Sequence, residues 1–192
     1  QAWLDYCSIN TKLFRYSDAI VRTALDTMLI RNPGLKYVFV PGDLTKDSEY
    51  EAHTGLAEIF LEYEEKYGLQ FIVTPGNHDI NNSNAVTYEN GKKEKAEPTS
   101  PEQFREIYKN LGFDLADSFF VPAEGNKGGM LSYAATLGDY RFIAIDSCIY
   151  SDDNGAKNNE HETAGQIADG LMDWIESECE EAEENGLTVI GM

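Results

Sequence analysis

The chain has 192 residues, 42% of them hydrophobic, with 9 Phe, 11 Tyr and 2 Trp. That is enough for one domain that buries about 70% of its unfolded surface, which excludes wholesale disorder. The 34 acidic side chains against 15 Lys and Arg leave a net charge of −19, a field that repels polyanions and excludes broad nonspecific binding to nucleic-acid backbone.

Gln1 to Tyr16 shows no clean period and reads as an irregular lead-in. Ser17 reads as the N-cap of a helix in which Ile20, Val21, Ala24, Leu25, Met28 and Leu29 recur at helical spacing, stopped by Asn32-Pro33-Gly34. Tyr37-Val38-Phe39-Val40 is a continuous apolar run closed by Pro41-Gly42-Asp43, the signature of a buried strand ending in a turn. Ser48, with Glu51 three residues on, reads as a capping box opening a second helix. Leu56, Ala57, Phe60 and Leu61 form its inner stripe, and Gly68 closes it. Phe71-Ile72-Val73 is a second buried strand, ended by Thr74-Pro75-Gly76. Strand, helix and strand in this order predict two parallel strands joined by a right-handed crossover. Sites in open α/β sheets form outside the carboxyl ends of the strands. Sequence order alone therefore brings the turn at Gly42-Asp43 and the turn at Gly76-Asn77-His78-Asp79 to one edge.

Asn81 to Ser100, with Lys92, Lys93 and Lys95, is expected to be a mobile polar loop beside that edge, either plain surface or a gate for substrate. Ser100-Pro101 with Gln103 opens a third helix, through about Asn110. Leu131 to Thr136 and Arg141 to Asp146 predict a hairpin around Gly138-Asp139, followed by a loop over Ser151 to Asn159. Gly165 to Glu184 reads as a long helix with Ile167, Leu171, Trp174 and Ile175 inward, and with Glu176, Glu180, Glu181, Glu183 and Glu184 as its solvated face. Leu187 to Ile190 is a last strand.

The chemistry concentrates in Gly42-Asp43-Leu44-Thr45 and Gly76-Asn77-His78-Asp79. Each glycine allows a tight turn that exposes the next side chain at the sheet edge. Asp43 offers a carboxylate oxygen able to bridge two cations, and Asn77 a neutral amide oxygen. His78 is suited to ligation or proton donation, and Asp79 to orienting an imidazole. Carboxylate, amide and imidazole together suit Mn, Fe or Zn.

These two segments, 34 residues apart, resemble the calcineurin-like metallophosphoesterases; Gly-Asn-His-Asp is the more specific half. The resemblance implies a layered α/β/β/α sandwich of two packed sheets and a centre of two divalent metal ions (Mn, Fe or Zn). It implies hydrolysis of a phosphomonoester or phosphodiester. Asp43 would bridge the metals and Asn77 would ligate one of them. His78 would act on the phosphate or protonate the leaving oxygen, and Asp79 would orient His78. The family's opening Asp-x-His and closing histidine motifs have no counterpart, since no histidine precedes His53 and the third and last is His161. The expectation is one phosphoesterase domain over residues 1–192, truncated at both ends, that holds metal weakly or not at all. The alternative is a non-catalytic pseudo-phosphoesterase, or interaction domain, that has lost ligands.

The expected partner is a small phosphoester. Oligomeric state and compartment stay open, because a chain that does not begin with Met leaves room for a secretion signal upstream. No apolar run approaches the roughly 20 residues that span a bilayer. Cys7, Cys148 and Cys179 follow no Cys-x-x-Cys pattern and read as buried or half-buried thiols. His53 falls on the apolar stripe of its helix and reads as a packed, hydrogen-bonded histidine, with a role near the substrate as the alternative. His161 reads as a solvated loop residue, or else a substrate or metal contact. Asp146 and Ser147 read as structural turn residues. Tyr88, Tyr108 and Tyr150 read as core, with stacking on substrate as the alternative.

Overall fold

The computed structural model describes residues 1–9, 13–88 and 91–192. Part of the expected lead-in (10–12) and part of the expected loop (89 and 90) lie outside them. The lead-in is not irregular: α1 (Ala2–Ile9) is a helix, and a short 3₁₀ turn follows at Phe14–Tyr16. No residue of α1 is buried. It is held by rings, with Trp3 and Tyr6 at 5.2 and 5.5 Å from Tyr88, and such contacts leave no 3.6-residue period to read. α2 (Ser17–Arg31) begins at Ser17, but its cap is Tyr16 and no side chain caps it. Of the predicted stripe only Leu25 is buried, while Ile20 and Met28 are exposed.

The strand–helix–strand unit forms as expected. β1 (Tyr37–Pro41), α3 (Tyr50–Tyr67) and β2 (Gln70–Thr74) follow in order, and β1 pairs β2 in parallel with Val38 opposite Phe71. Gly68 ends α3 at φ 68°, a left-handed conformation that costs glycine little. The predicted capping box does not form. Ser48 is fully buried at φ 67°, and its hydroxyl donates to the carbonyl of Asp79 at 2.8 Å. The first helical residue is therefore Tyr50, behind Glu49. Tertiary bonding has taken the side chain that local pattern assigned to the cap.

The described residues between Asn81 and Ser100 are more ordered than a surface loop. β3 (Val86–Thr87) pairs β4 (Glu94–Lys95) antiparallel, and Asn82, Ala85 and Thr99 are fully buried. α4 (Pro101–Ile107) starts with the predicted Ser100/Gln103 capping box. It ends short of Asn110, passing into a wide turn over 109–113 in which Gly112 sits at φ 115°. β5 (Ser118–Phe119), β6 (Tyr133–Leu137) and β7 (Tyr140–Ala144) follow, with the β6–β7 turn at Gly138-Asp139 as predicted. α5 (Leu171–Glu184) starts at Leu171 rather than Gly165, after Gly170 at φ 78°, and Ile167 is left exposed in the preceding loop. β8 (Thr188–Gly191) pairs β7 in parallel, giving the sheet order β5-β6-β7-β8.

The layers are joined by large side chains. Phe60 of α3 stacks on Phe71 of β2 at 4.3 Å. Between the sheets, Phe142 meets Tyr37 and Phe39 at 5.7 and 5.1 Å, and the buried Tyr133 hydroxyl donates to the carbonyl of Val73 at 3.0 Å. On the far side, Glu178 of α5 accepts from the Arg141 Nε of β7 at 2.9 Å. Both groups are buried, and Arg141 also reaches Asp117 and Thr136. The result is a mixed α/β fold layered helix, sheet, sheet, helix. It sets the carboxyl ends of β1, β2 and β7 along one edge.

Candidate functional site

The two motif turns touch. Gly42 lies at φ 87°, and a Cβ there would fall 2.5 Å from the backbone nitrogen of Gly76 and 2.6 Å from its Cα. A Cβ on Gly76 would overlap the nitrogen and Oδ1 of Asp43. Only glycine at both positions lets the turns meet this closely. Asp43 itself sits at φ 53°, an uncommon conformation that Asp tolerates better than most residues. Its carboxylate is on the exposed edge, and Oδ1 accepts the backbone N–H of His78 at 3.3 Å. Asn77 lies half-buried beside it.

Asp79 has a different place from the one the resemblance implies. Its side chain is wholly buried. Its oxygens accept the N–H of Gly76 at 2.7 Å, of Thr45 at 2.9 Å and of Leu44 at 3.1 Å, with the Thr45 hydroxyl at 3.1 Å. One carboxylate thus ties together the two turns that carry Asp43 and His78. Burial pushes its pKa up to about 6, against the lowering effect of those donors. Among the described residues the carboxylate facing the imidazole of His78 is Asp47, with Oδ1 at 3.6 Å from Nδ1. The sequence reading missed Asp47; it lies in no motif, and it stands beside His78 only because α3 begins where it does.

His53 is fully buried, as its stripe predicts. Nε2 is 3.0 Å from the carbonyl of Asp79, which only accepts, so Nε2 carries the proton. Nδ1 then accepts from the Tyr108 hydroxyl at 2.9 Å. Burial holds the imidazole neutral and lowers its pKa to about 4. His53 supports Asp79 from behind and is remote from the exposed edge.

His161 comes to the site from 83 residues away. Its N–H donates to the carbonyl of Asn81 at 3.2 Å, and its ring centroid lies 6.1 Å from that of His78. Burial, and then the proximity of His78, lower its pKa. The Nδ1 atoms of both rings are buried without a hydrogen-bond partner. Cys148 closes the third side, with its thiol on the carbonyl of Pro75 at 3.3 Å and its pKa pushed up by burial. Asp146 is wholly buried and accepts from the N–H of Cys148, the N–H of Leu131 and the Tyr150 hydroxyl. It is thus a turn anchor, and Tyr150 and Tyr108 are core residues. Tyr88 packs against α1. Cys7, Cys148 and Cys179 are free thiols.

The Gly-Asp and Gly-Asn-His-Asp turns in contact at one sheet edge agree with the comparison to known families. The calcineurin-like phosphoesterase family model matches residues 15–190. The chain belongs to the calcineurin-like phosphoesterases. A comparison with curated proteins finds no relative at a significant level of similarity. The family hydrolyses phosphoesters and generally uses divalent metals. Among the described residues, no group of three or more His, Cys, Asp or Glu side chains converges to hold a metal ion. No helix among them is long and apolar enough to cross a membrane.

Proposed function

We propose that this chain hydrolyses a phosphomonoester or phosphodiester at the edge formed by the two glycine turns, with divalent metal supplied in excess. The observation that carries the reading is the contact between the turns, which brings the exposed Asp43 and the half-buried Asn77 and His78 to one edge of the sheet. Asp43 and Asn77 would give oxygens to the cations, which when bound neutralise charge on the phosphoryl group. His78 is the acid. With Nδ1 turned toward Asp47 at 3.6 Å, Nε2 is left to meet the substrate and to donate its proton to the leaving oxygen as water adds to phosphorus and the phosphorus–oxygen bond to the leaving group breaks. Asp79 acts through the backbone, holding both turns at the spacing the site needs.

A non-catalytic relative is the second reading, favoured by the lack of a converging group of three ligands among the described residues. The test is hydrolysis of a chromogenic monoester and a chromogenic diester with millimolar Mn and, separately, with EDTA. Turnover that needs Mn, and that falls by roughly 10²–10⁴ in His78→Asn, is the expected result. No turnover of either substrate, or turnover unchanged in His78→Asn, would overturn the catalytic reading or the role of His78 respectively.

A further inference from the structure

We propose that the cavity between α1 and the β3–β4 ribbon is a substrate subsite for a second anionic group, phosphate or carboxylate, on a phosphoester whose scissile group meets His78. This rests on the phosphoesterase reading above. The cavity has a volume of about 380 Å³, and among the described residues its walls carry Tyr6, Asn84 and three lysines, Lys46, Lys93 and Lys95, against one acid, Asp47. The chain as a whole has 34 acidic residues to 15 basic ones, so a wall with more cations than anions runs against its composition. Lys46 pairs with Asp47. Among the described residues no carboxylate lies within ion-pair distance of Lys93 or Lys95. Lys93 and Lys95 are exposed and line the same cavity, so an anion held there is attracted by both ammonium groups. A neutral group gains nothing comparable there.

The walls are held in place. The ring of Tyr6 is fixed between Trp3, Phe14 and Tyr88, at 5.9, 5.8 and 5.5 Å, and the Lys93 ammonium lies 5.5 Å from its centre. Lys95 stands opposite Val86 in the ribbon. The fully buried Asn82 accepts the N–H of Asn84 at 3.0 Å and donates to Asp47 Oδ1 at 3.3 Å. That same oxygen is the one facing His78. Asp47 therefore stands between the cavity and the Nδ1 side of His78, and in this proposal the substrate runs past Asp47 from the cavity to Nε2. The volume exceeds what one phosphate fills and leaves room for part of the organic group that carries it.

The test separates the subsite from catalysis. In EDTA, the chain is titrated calorimetrically with inorganic pyrophosphate, with citrate and with inorganic phosphate. The same is done for Lys93→Ala/Lys95→Ala and, should that variant prove unstable by circular dichroism, for Lys93→Gln/Lys95→Gln. Pyrophosphate or citrate is expected to bind about tenfold more weakly to the double variant, and more weakly at high salt. Stronger binding of pyrophosphate than of citrate assigns the second group as phosphate, and the reverse assigns carboxylate. Binding equal in wild type and variant, or no binding of either, overturns the proposal. In a second arm with Mn, the double variant should raise KM about tenfold for a monoester whose leaving group bears a second phosphate, and leave phenyl phosphate unchanged. An equal effect on both substrates also overturns it. No turnover of either refutes the phosphoesterase reading alone, since the EDTA titration still decides the subsite.

Discussion

Gly42→Ala tests the contact on which the whole site depends. The added methyl would lie 2.5 Å from Gly76 N, 2.6 Å from its Cα and 2.8 Å from the carbonyl carbon of Pro75. Those are backbone atoms, and carbon needs about 3.5 Å from them, so the turns must part by roughly 1 Å. Alanine at φ 87° adds about 1–2 kcal/mol of left-handed strain. Overlap with a packed neighbour adds about 1–3 kcal/mol. Parting the turns also stretches the bonds by which Asp79 spans them, at 2.7 Å to Gly76 and 2.9 Å to Thr45. The expected loss is about 3–5 kcal/mol by urea denaturation, with Mn-dependent turnover lower by about 10²-fold even where the variant is folded. Gly55→Ala is the control. Gly55 lies in α3 with nothing within 4 Å of its would-be Cβ, and this change should stabilise by up to about 1 kcal/mol. If Gly42→Ala matches wild type in both stability and turnover, the two turns do not meet as described.

The buried His53 makes stability depend on pH. Its pKa falls from the ordinary 6.5 to about 4, so the unfolded chain takes up the proton first, and this contribution is full above 6.5 and lost as pH falls toward 4. At its limit it amounts to about 3 kcal/mol. Asp79 and Asp146, both raised to about 6 by burial, act in the opposite direction: their carboxyls stabilise the fold as pH drops from 6 toward 3.8. The clean measurement is therefore the difference in stability between wild type and His53→Gln, which should shrink between pH 6.5 and pH 4; a difference flat in pH would show that His53 does not titrate as proposed. Glu178→Ala strips a buried guanidinium of a counter-charge and should cost about 3 kcal/mol, since Asp117 still serves Arg141, with Glu178→Gln milder. Equal midpoints in denaturation would remove that pair from the stability of the α5 layer. After dialysis the chain should retain well under two equivalents of divalent metal, because two oxygen ligands do not fix a dinuclear centre. Two tightly held equivalents by elemental analysis would refute this.

Where a signal was local, the sequence carried it. The apolar runs at Tyr37 and Phe71, the Pro-Gly turns after them, the Ser100/Gln103 cap and the Gly138-Asp139 hairpin each depend on residues within a few positions of one another. All four are present in the fold. The common edge of the two glycine turns was legible too, because a right-handed crossover leaves parallel strands ending on one edge; that the turns touch there was not. Patterns that competed with distant partners misled. Ser48 looks like a helix cap from its neighbours, but its hydroxyl bonds Asp79, 31 residues on. The α1 helix has no period, because stacked rings rather than an apolar stripe hold it.

By itself, the sequence determined the crossover unit, the two motif turns, their common edge and the family. Tertiary structure alone decided that Asp79 braces the turns while Asp47 faces His78, that His161 arrives beside them, and that three lysines of an acidic chain line one cavity. The physical reason is range. Backbone geometry and capping act within a turn or two of chain, where sequence spacing is distance. A buried carboxylate takes whichever donors the packed fold brings to it, and for Asp79 two of its three backbone donors, Leu44 and Thr45, come from about 35 residues away.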